Sequence, residues 1–268
     1  MTDTLVSIPA RVTNNEPAQP SLLPKFLSSE WNKLRSVRST YWSLLVAVAA
    51  MIGLGALVSA NQSRTHTAGF DPVSTSLAGM LLAQLAIGVL GVLVVTSEYS
   101  TGMIRTTFVA GPQRRTVIAA KAVVFGAVAF IVGTVASFIT FFEGQALQGH
   151  YGVSISAPGA LRSVIGVGLY LGLLGVFAVG LGTIIRNTAG AIAALFAMIL
   201  VLPAVFQALP SSIRDSVDKF LPGNAGQSIF HTIRDTSTLP PWIGLAVFAL
   251  YAAAALTIGL IVVRRRDV

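Results

Sequence analysis

The residues of this chain that could perform chemistry are few, and they form no recognisable catalytic or metal-binding pattern. The chain has no cysteine, and its three histidines, His66, His150 and His231, all fall in predicted loops. A metal site built from them would require three separate loops to converge, so solvated loop histidines are the simpler interpretation. The sequence also lacks the GxxxxGK[ST] phosphate-binding loop and the HExxH and GxSxG motifs. We therefore expect no catalytic residue, no metal and no cofactor in this chain, and we do not expect it to be an enzyme.

One polar segment, SEYSTGMIRTTFVAGPQRR (residues 97–115), separates two of the most apolar runs in the chain. A hydroxyl side chain before Gly102 can cap a short helix over residues 102–109. Met103 and Ile104 give this helix an apolar side, which does not suit a solvated loop. The pattern favours a short helix that lies across the membrane face and docks into a groove of a partner protein. The alternative is a loop that folds back on its own chain.

The elements on either side of this segment are long and apolar. Hydrophobic residues make up 54% of the chain and charged residues only 10%, whereas a soluble domain has about 25% charged residues. The chain contains six long runs without Asp, Glu, Lys or Arg. Each of these runs is long enough to form the helix of about 20 residues that crosses a bilayer. The runs are continuous rather than alternating, which favours helices over a membrane barrel. The sequence predicts six spans, near residues 41–60, 77–97, 118–142, 163–185, 188–208 and 242–263.

The basic residues are distributed unequally between the two sides of these spans. One side holds 13 of the 18 Lys and Arg residues and half of the 10 acidic residues, so it carries the whole net charge of +8. By the positive-inside rule this side is cytoplasmic, and both termini lie on it. We therefore expect a multi-pass protein of the plasma (inner) membrane. The high isoelectric point follows from this orientation and requires no nucleic-acid partner.

The chain reads as one membrane domain over residues 22–268, preceded by a disordered cytoplasmic tail over residues 1–21. Within residues 22–38, apolar and basic side chains alternate at helical spacing, which is typical of an amphipathic helix in the lipid headgroup region. The alternative is a basic flank that only sets the topology. The residues assigned to the interfacial helix are Phe26, Trp31, Lys33 and Arg35.

Other features concern the spans themselves. The fourth span contains a GxxxG pair, Gly168 and Gly172, which favours close helix packing within one subunit over a subunit interface. Pro203 predicts a kink in the fifth span. The long segment over residues 209–241 is expected to form two short helices on the outer side. The predicted fold class is thus an all-α polytopic membrane protein with six transmembrane helices and short extracellular helices between spans 5 and 6.

The polar segment resembles the loop of ABC-2 type transporter permeases, in which Glu is followed by Gly, then Ile or Leu, and Arg. The matching positions are Glu98, Gly102, Ile104 and Arg105. SEWNKLRSVRSTYW (29–42) is similar to the start of many actinobacterial members, and LPGNAGQSI (221–229) resembles the segment before their last span. The resemblance covers about residues 22–268 and agrees with six spans and two cytoplasmic termini.

This resemblance implies a dimer, with a second permease copy that is identical or related, and a separate ATP-binding cassette subunit that binds ATP and Mg. The loop after the second span would be a coupling helix held by that ATPase. The coupling residues would be Glu98, Tyr99, Gly102, Met103, Ile104 and Arg105. Glu98 and Arg105 could instead pair with each other, and such an exposed pair would contribute only about 0–1 kcal/mol.

The resemblance further implies ATP-driven export along a path between two copies, near spans 1, 2 and 5. Small and apolar side chains favour hydrophobic or amphipathic cargo such as a drug, a peptide antibiotic or a lipid-like molecule. Membrane lipid is a further expected partner. One alternative function is a membrane scaffold or sensor that uses the same loop to hold a cytoplasmic partner. A membrane enzyme acting on lipids is a further alternative, which the lack of catalytic residues disfavours.

Overall fold

The chain folds into a helical bundle in which six helices within the described residues are long and apolar enough to cross a membrane. The structure, a computed structural model, describes residues 23–65, 70–104, 114–233 and 238–265. Its α-helices are α1 (Leu23–Ser36), α2 (Arg38–Thr65), α3 (Pro72–Ser76), α4 (Met80–Ser100), α5 (Arg114–Gln148), α6 (Ala160–Ile185), α7 (Thr188–Phe196), α8 (Leu202–Gln207), α9 (Ser211–Val217), α10 (Pro222–Gln227) and α11 (Pro241–Arg265).

The predicted all-helical fold with six spans is therefore confirmed. The spans comprise residues Arg38–Gln62, Pro72–Ser100, Arg114–Tyr151, Ala160–Ile185, Thr188–Gln207 and Pro241–Arg265. The predicted tail over 1–21 and most of the predicted helix over 102–109, including Arg105, lie outside the described residues. We call the end of the bundle where span 1 begins and span 6 ends the basic end, because Arg38, Arg114 and Arg264 lie there.

Span 4 lies at the centre of the bundle. Spans 2, 3 and 6 pack around it, and 78% of its apolar window is buried. Its glycines allow this packing, since a Cβ atom at Gly168 would collide with Thr134 of span 3 and one at Gly172 would lie 3.0 Å from Phe130. The GxxxG pair thus packs within the subunit, as the sequence favoured.

Span 3 is longer than the sequence predicts, and Gly144, expected in a loop, lies within its helix. The additional turns carry polar side chains that bind the start of span 2. Gln145 and Gln148 both donate to the carbonyl oxygen of Pro72, at 3.0 and 3.1 Å, and to the hydroxyl of Ser76, at 2.8 and 3.0 Å. These contacts satisfy buried polar groups at the end of a span, where a hydropathy pattern alone would end the helix.

Short helices α9 and α10 lie at the end opposite the basic end, in the region where the sequence predicts two of them. Pro222 begins α10, because a proline fits the first turn of a helix. Asp71 ties this region to span 2. Its carboxylate caps α3 at Val73 N and accepts a hydrogen bond of 3.0 Å from Thr232 N.

The distortion expected near Pro203 is present in span 5 as a π-helical turn over Ala197–Val201. Proline has no N–H to donate to the carbonyl four residues earlier, so the regular hydrogen-bond ladder fails just before it. Span 5 is also the least buried span, with 17% of its window buried, and span 1 follows with 22%.

Candidate functional site

The candidate site lies at the basic end, where the end of span 2, the start of span 3 and helix α1 meet. It contains most of the residues predicted to couple the chain to a partner, together with the predicted interfacial helix.

Span 2 ends in a hydroxyl-rich turn. Ser100 and Thr101 both donate their side-chain hydroxyls back to the carbonyl of Ser97, at 3.0 and 2.8 Å. Gly102 follows with a φ of +71°, and its N–H donates to the carbonyl of Tyr99 at 3.3 Å. A left-handed glycine is a common helix terminator because other residues pay a steric penalty there. Gly102 therefore ends span 2 rather than forming the body of the next helix, and helical geometry resumes at Met103.

The two apolar residues after Gly102 point in different directions. The Ile104 side chain is 1% exposed and packs with Val117, Ile118 and Val263. Met103 is 54% exposed. Ile104 thus anchors the segment to its own chain, and Met103 presents an apolar surface beside that anchor.

Glu98 belongs to a closed ring of four charged side chains. Lys121 Nζ of span 3 donates to Glu98 Oε1 at 2.6 Å and to Glu30 Oε2 of α1 at 2.7 Å. Lys33 Nζ of α1 donates to Glu30 Oε1 at 2.8 Å and to Glu98 Oε1 at 3.2 Å. Acids and bases alternate around the ring, which therefore has no net charge.

The ring is buried on one side and open on the other. Lys121 has 2% of its side chain exposed, whereas Lys33 has 37% exposed. Burial opposes the charged form of Lys33, but its hydrogen bond to Glu30 and the charges of Glu30 and Glu98 raise its pKa above the ordinary value of 10.5. The second carboxylate oxygen of Glu98 is buried and has no hydrogen-bond partner among the residues that the structure describes. The Glu98 carboxylate is thus engaged within its own chain, with Lys33 and Lys121 as its ion-pair partners.

Tyr99 lies on another side of the same turn and is half-buried. The guanidinium carbon of Arg186, which ends span 4, lies 5.2 Å from the centre of the Tyr99 ring. This distance permits a cation–π contact. Arg186 Nη2 also lies 3.5 Å from the carbonyl oxygen of Val262 in span 6. The end of span 2 is therefore held by groups from spans 3, 4 and 6.

Helix α1 rests on the bundle with part of its surface. Phe26 packs against the cluster around Ile104, and Lys33 joins the ion ring. Trp31 and Arg35 are exposed, with half of the Trp31 surface accessible. The structure thus brings Phe26 and Lys33 together with Glu98 and Ile104, and it leaves Trp31 and Arg35 on the outer surface of the helix. The contact of that surface with lipid remains a prediction.

Sequence reasoning did not single out Glu30 and Lys121 as site residues. Two signals could have found them. Lys121 is an isolated charge inside the apolar run VIAAKAVVF, and such a residue requires a partner when it is buried. Glu30 precedes Lys33 by one helical turn, a spacing that places both side chains on the same surface.

Within the described ranges, no three His, Cys, Asp or Glu side chains are grouped so that they could hold a metal ion. The site combines a junction of three elements, joined by ion pairs and apolar contacts, with a neighbouring apolar surface at Met103. Such an arrangement can bind a partner and pass a displacement to the helices that it joins.

Comparison with known proteins identifies the region that contains this site. A family model described as ABC-2 family transporter protein matches residues 26–204. The match includes most of α1, the ion ring, the turn at Gly102, spans 1 to 4 and most of span 5. No curated protein matches the chain.

Proposed function

Because the chain belongs to the ABC-2 transporter family, we propose that it is the membrane subunit of an ATP-driven exporter whose ATP is hydrolysed by a separate subunit. The chain is a multi-pass membrane protein and a permease component of an ABC transporter. The proposal adds the coupling surface, the cargo class, the orientation and the direction of transport.

The observation that carries the coupling proposal is the exposed Met103 beside the buried Ile104. The turn at Gly102 ends span 2, and the ion ring before it and the Ile104 cluster after it hold this part of the chain against the bundle. An apolar side chain on a fixed base suits a groove of a folded partner, because little ordering entropy is lost on binding. In this proposal Met103 contacts the ATPase, and Glu98, Tyr99 and Ile104 hold the segment in place.

Co-purification tests this proposal directly. The chain would be captured in mild detergent from its native membrane, and its partners identified by mass spectrometry. We expect an ATP-binding subunit in about equal amount. Met103→Asp should remove that subunit, because it places a charge in an apolar contact. Val217→Asp is the matched control, since Val217 is also exposed but lies at the opposite end of the bundle.

Two results would contradict coupling at Met103. One is recovery of the chain without any ATP-binding subunit. The other is equal retention of the ATPase by Met103→Asp and Val217→Asp. Ile104→Asp does not separate docking from folding, because its carboxylate would enter the Ile104 cluster of its own chain.

The cargo proposal is supported by a groove of about 570 Å³ between spans 1 and 2. Its lining is almost entirely apolar and includes Trp42, Val46, Leu82 and Leu93. Together with the low burial of spans 1 and 5, this favours a path for hydrophobic or amphipathic cargo between two copies. Transport of hydrophilic compounds alone, measured in reconstituted vesicles, would contradict this cargo class.

The orientation proposal places both termini and the basic end in the cytoplasm, at the plasma (inner) membrane. Its support is the excess of Lys and Arg on that side. The chain lacks cysteine, so single cysteines at Ser100 and Ser211 would report their sides through a membrane-impermeant thiol reagent. Labelling of intact cells at position 100 but not at position 211 would reverse the assignment.

A scaffold that only holds a cytoplasmic partner would also satisfy the pull-down. ATP turnover distinguishes the two functions, since a coupled permease changes the ATPase rate of its partner when cargo is present and a scaffold does not. Cargo movement in reconstituted vesicles, measured with MgATP supplied on one side of the membrane or the other, determines whether transport is outward.

A further inference from the structure

We propose that the ring of Glu30, Lys33, Glu98 and Lys121 is a joint that makes helix α1 and the end of span 2 move as one unit, with Lys121 as its positioning residue. The inference rests on the proposed function, because the joint transmits motion only if a partner moves the segment after span 2.

The contacts of the ring show how it joins separate elements. Two of its four bridges connect α1 to the spans, namely Lys121 to Glu30 at 2.7 Å and Lys33 to Glu98 at 3.2 Å. A third connects span 3 to span 2 through Lys121 and Glu98 at 2.6 Å. If α1 moved away from the spans, each of the four charges would lose one of its two bridges, and the buried Lys121 would keep Glu98 as its one remaining carboxylate in the ring. The loss of a bridge at a buried ammonium is unfavourable because water does not replace it.

The use of charges, rather than apolar side chains, indicates a positioning role. A buried ion pair contributes little net stability, because the desolvation of both ions offsets their attraction. Hydrogen-bonded charges do restrict geometry, since each ammonium must reach both carboxylates at once. The neighbouring cluster of Phe26, Ile104 and Val117 already provides apolar contact between the same elements. Apolar burial alone would hold α1 against the spans, and the ring additionally fixes the position of α1 along that contact.

The connection of α1 to the rest of the chain gives this joint a consequence. Only Val37 separates α1 from the helix of span 1, and span 1 forms one wall of the groove with span 2. A displacement of the segment at Met103 would pass through Glu98 and Lys121 to α1, and from α1 to span 1. The ring is thus placed between the proposed partner surface and the proposed cargo path.

Charge exchange tests this joint without changing its composition. Glu30→Lys with Lys33→Glu leaves the net charge of α1 unchanged but sets an ammonium against Lys121 and a carboxylate against Glu98. Adding Glu98→Lys and Lys121→Glu inverts all four charges and restores the alternation. A milder variant, Glu30→Gln with Lys33→Gln, removes the two charges of α1 without creating a like-charge contact and serves if the exchange variant does not fold.

Distances between spin labels report the position of α1. Cysteines would be introduced at Ser29 and Ser100, which are both exposed and lie on α1 and at the end of span 2. Because the chain lacks cysteine, the labels attach only there. The complex would be purified with its ATPase and measured with and without MgATP.

We expect a single narrow distance in the unmodified ring that MgATP leaves unchanged, since the two labels move together. The exchange and neutral variants should give broad distributions, and the four-fold inversion should restore the narrow one. A narrow distribution in the exchange or neutral variant would refute the joint, as would a broad one in the four-fold inversion.

ATP hydrolysis by the same complexes separates transmission from simple stability. For equal amounts of folded complex, the exchange variant should lower hydrolysis about fivefold or more, a modest coupling between sites, and the inversion should restore it. Unchanged hydrolysis despite a broadened distance would show that the ring only stabilises α1 and would refute the inference. If no ATPase accompanies the unmodified chain, the proposed function fails, whereas the label distances of the chain alone still decide whether the ring holds α1.

Discussion

The two lysines of the ion ring offer a comparison in which the partner residues are the same and the burial differs strongly. Lys33 and Lys121 each bind Glu30 and Glu98, but Lys33 has 37% of its side chain exposed and Lys121 only 2%. Replacement of either lysine by methionine keeps a long side chain and removes one positive charge. The two variants, Lys121→Met and Lys33→Met, should therefore differ only in how well water compensates for the charge that is lost.

The expected magnitudes follow from burial. In Lys121→Met the two carboxylates lose bridges of 2.6 and 2.7 Å at a site that water does not reach, and breaking a buried pair in this way costs about 3–5 kcal/mol. In Lys33→Met the ammonium that is lost is 37% exposed, and both carboxylates keep their shorter bridges to Lys121, so the cost should be about 0–1 kcal/mol. The difference between the two variants should thus be at least about 2 kcal/mol.

Equilibrium unfolding in mixed micelles, followed by far-UV circular dichroism, measures both variants. Lys219→Met at the opposite end of the bundle controls for the loss of one charge and should lie within about 0.5 kcal/mol of the unmodified chain. Adding Glu98→Gln to Lys121→Met should recover part of the loss, because it removes a stranded carboxylate. Equal losses for Lys33→Met and Lys121→Met, or no recovery in the double variant, would refute the assignment of a buried ring.

Three further predictions concern the turn, the opposite end and the helix packing. Gly102→Ala should lower the free energy of unfolding by about 1–2 kcal/mol because of the positive φ, and Gly102→Asn should lower it less, since asparagine tolerates this conformation. Unfolding in mixed micelles compares the two variants, and equal losses would exclude the left-handed turn. Burial raises the pKa of Asp71, but hydrogen bonds from Thr232 lower it more, so the pKa lies below 3.8. The stability that this carboxylate contributes should therefore be present above pH 3.8 and lost as the pH falls through the folded pKa. Hydrogen exchange at Thr232 should show this loss, and Asp71→Asn should abolish this pH dependence. Gly168→Ala should destabilise the bundle because its Cβ atom would collide with Thr134. A Cβ atom at Gly53 meets nothing within 4 Å, so Gly53→Ala should be neutral or stabilising by up to about 1 kcal/mol. Thermal unfolding of each variant measures the change in stability, and equal destabilisation would refute the packing at Gly168.

The number and order of the spans could be predicted from the sequence because hydrocarbon imposes one strong condition. A segment without charges and long enough to cross it must form a helix, and each run therefore carries its own signal. Because each run is judged from its own residues, the prediction ended span 3 too early. Gln145 and Gln148 look like loop residues in isolation, and only their hydrogen bonds to Pro72 and Ser76 of another span keep this part helical.

The site was harder to predict because its residues are separated in the sequence and because neighbours point in different directions. Glu30 and Lys121 are 91 positions apart, and Lys33 and Glu98 are 65 apart, so no local spacing relates them. Met103 and Ile104 are both apolar and adjacent, and their order gives no indication that one is exposed and the other buried. The motif with Glu98, Gly102 and Ile104 located the segment, but three-dimensional packing decides which side chain faces outward.

The ion ring contributes little to the charge asymmetry that orients the chain in the membrane. On the side predicted to be cytoplasmic, 13 basic and 5 acidic residues give a net charge of +8, and the ring holds two of each. The positive-inside rule counts Lys and Arg, and the ring supplies only two of the 13 on this side, so most of the orientation signal is carried by other residues, such as the exposed Arg35, Arg38 and Arg115. Inverting all four ring charges leaves this signal unaltered, and the inverted chain should insert with the same topology. The ring can therefore be varied to test how the helices are joined without changing the charge bias that orients them.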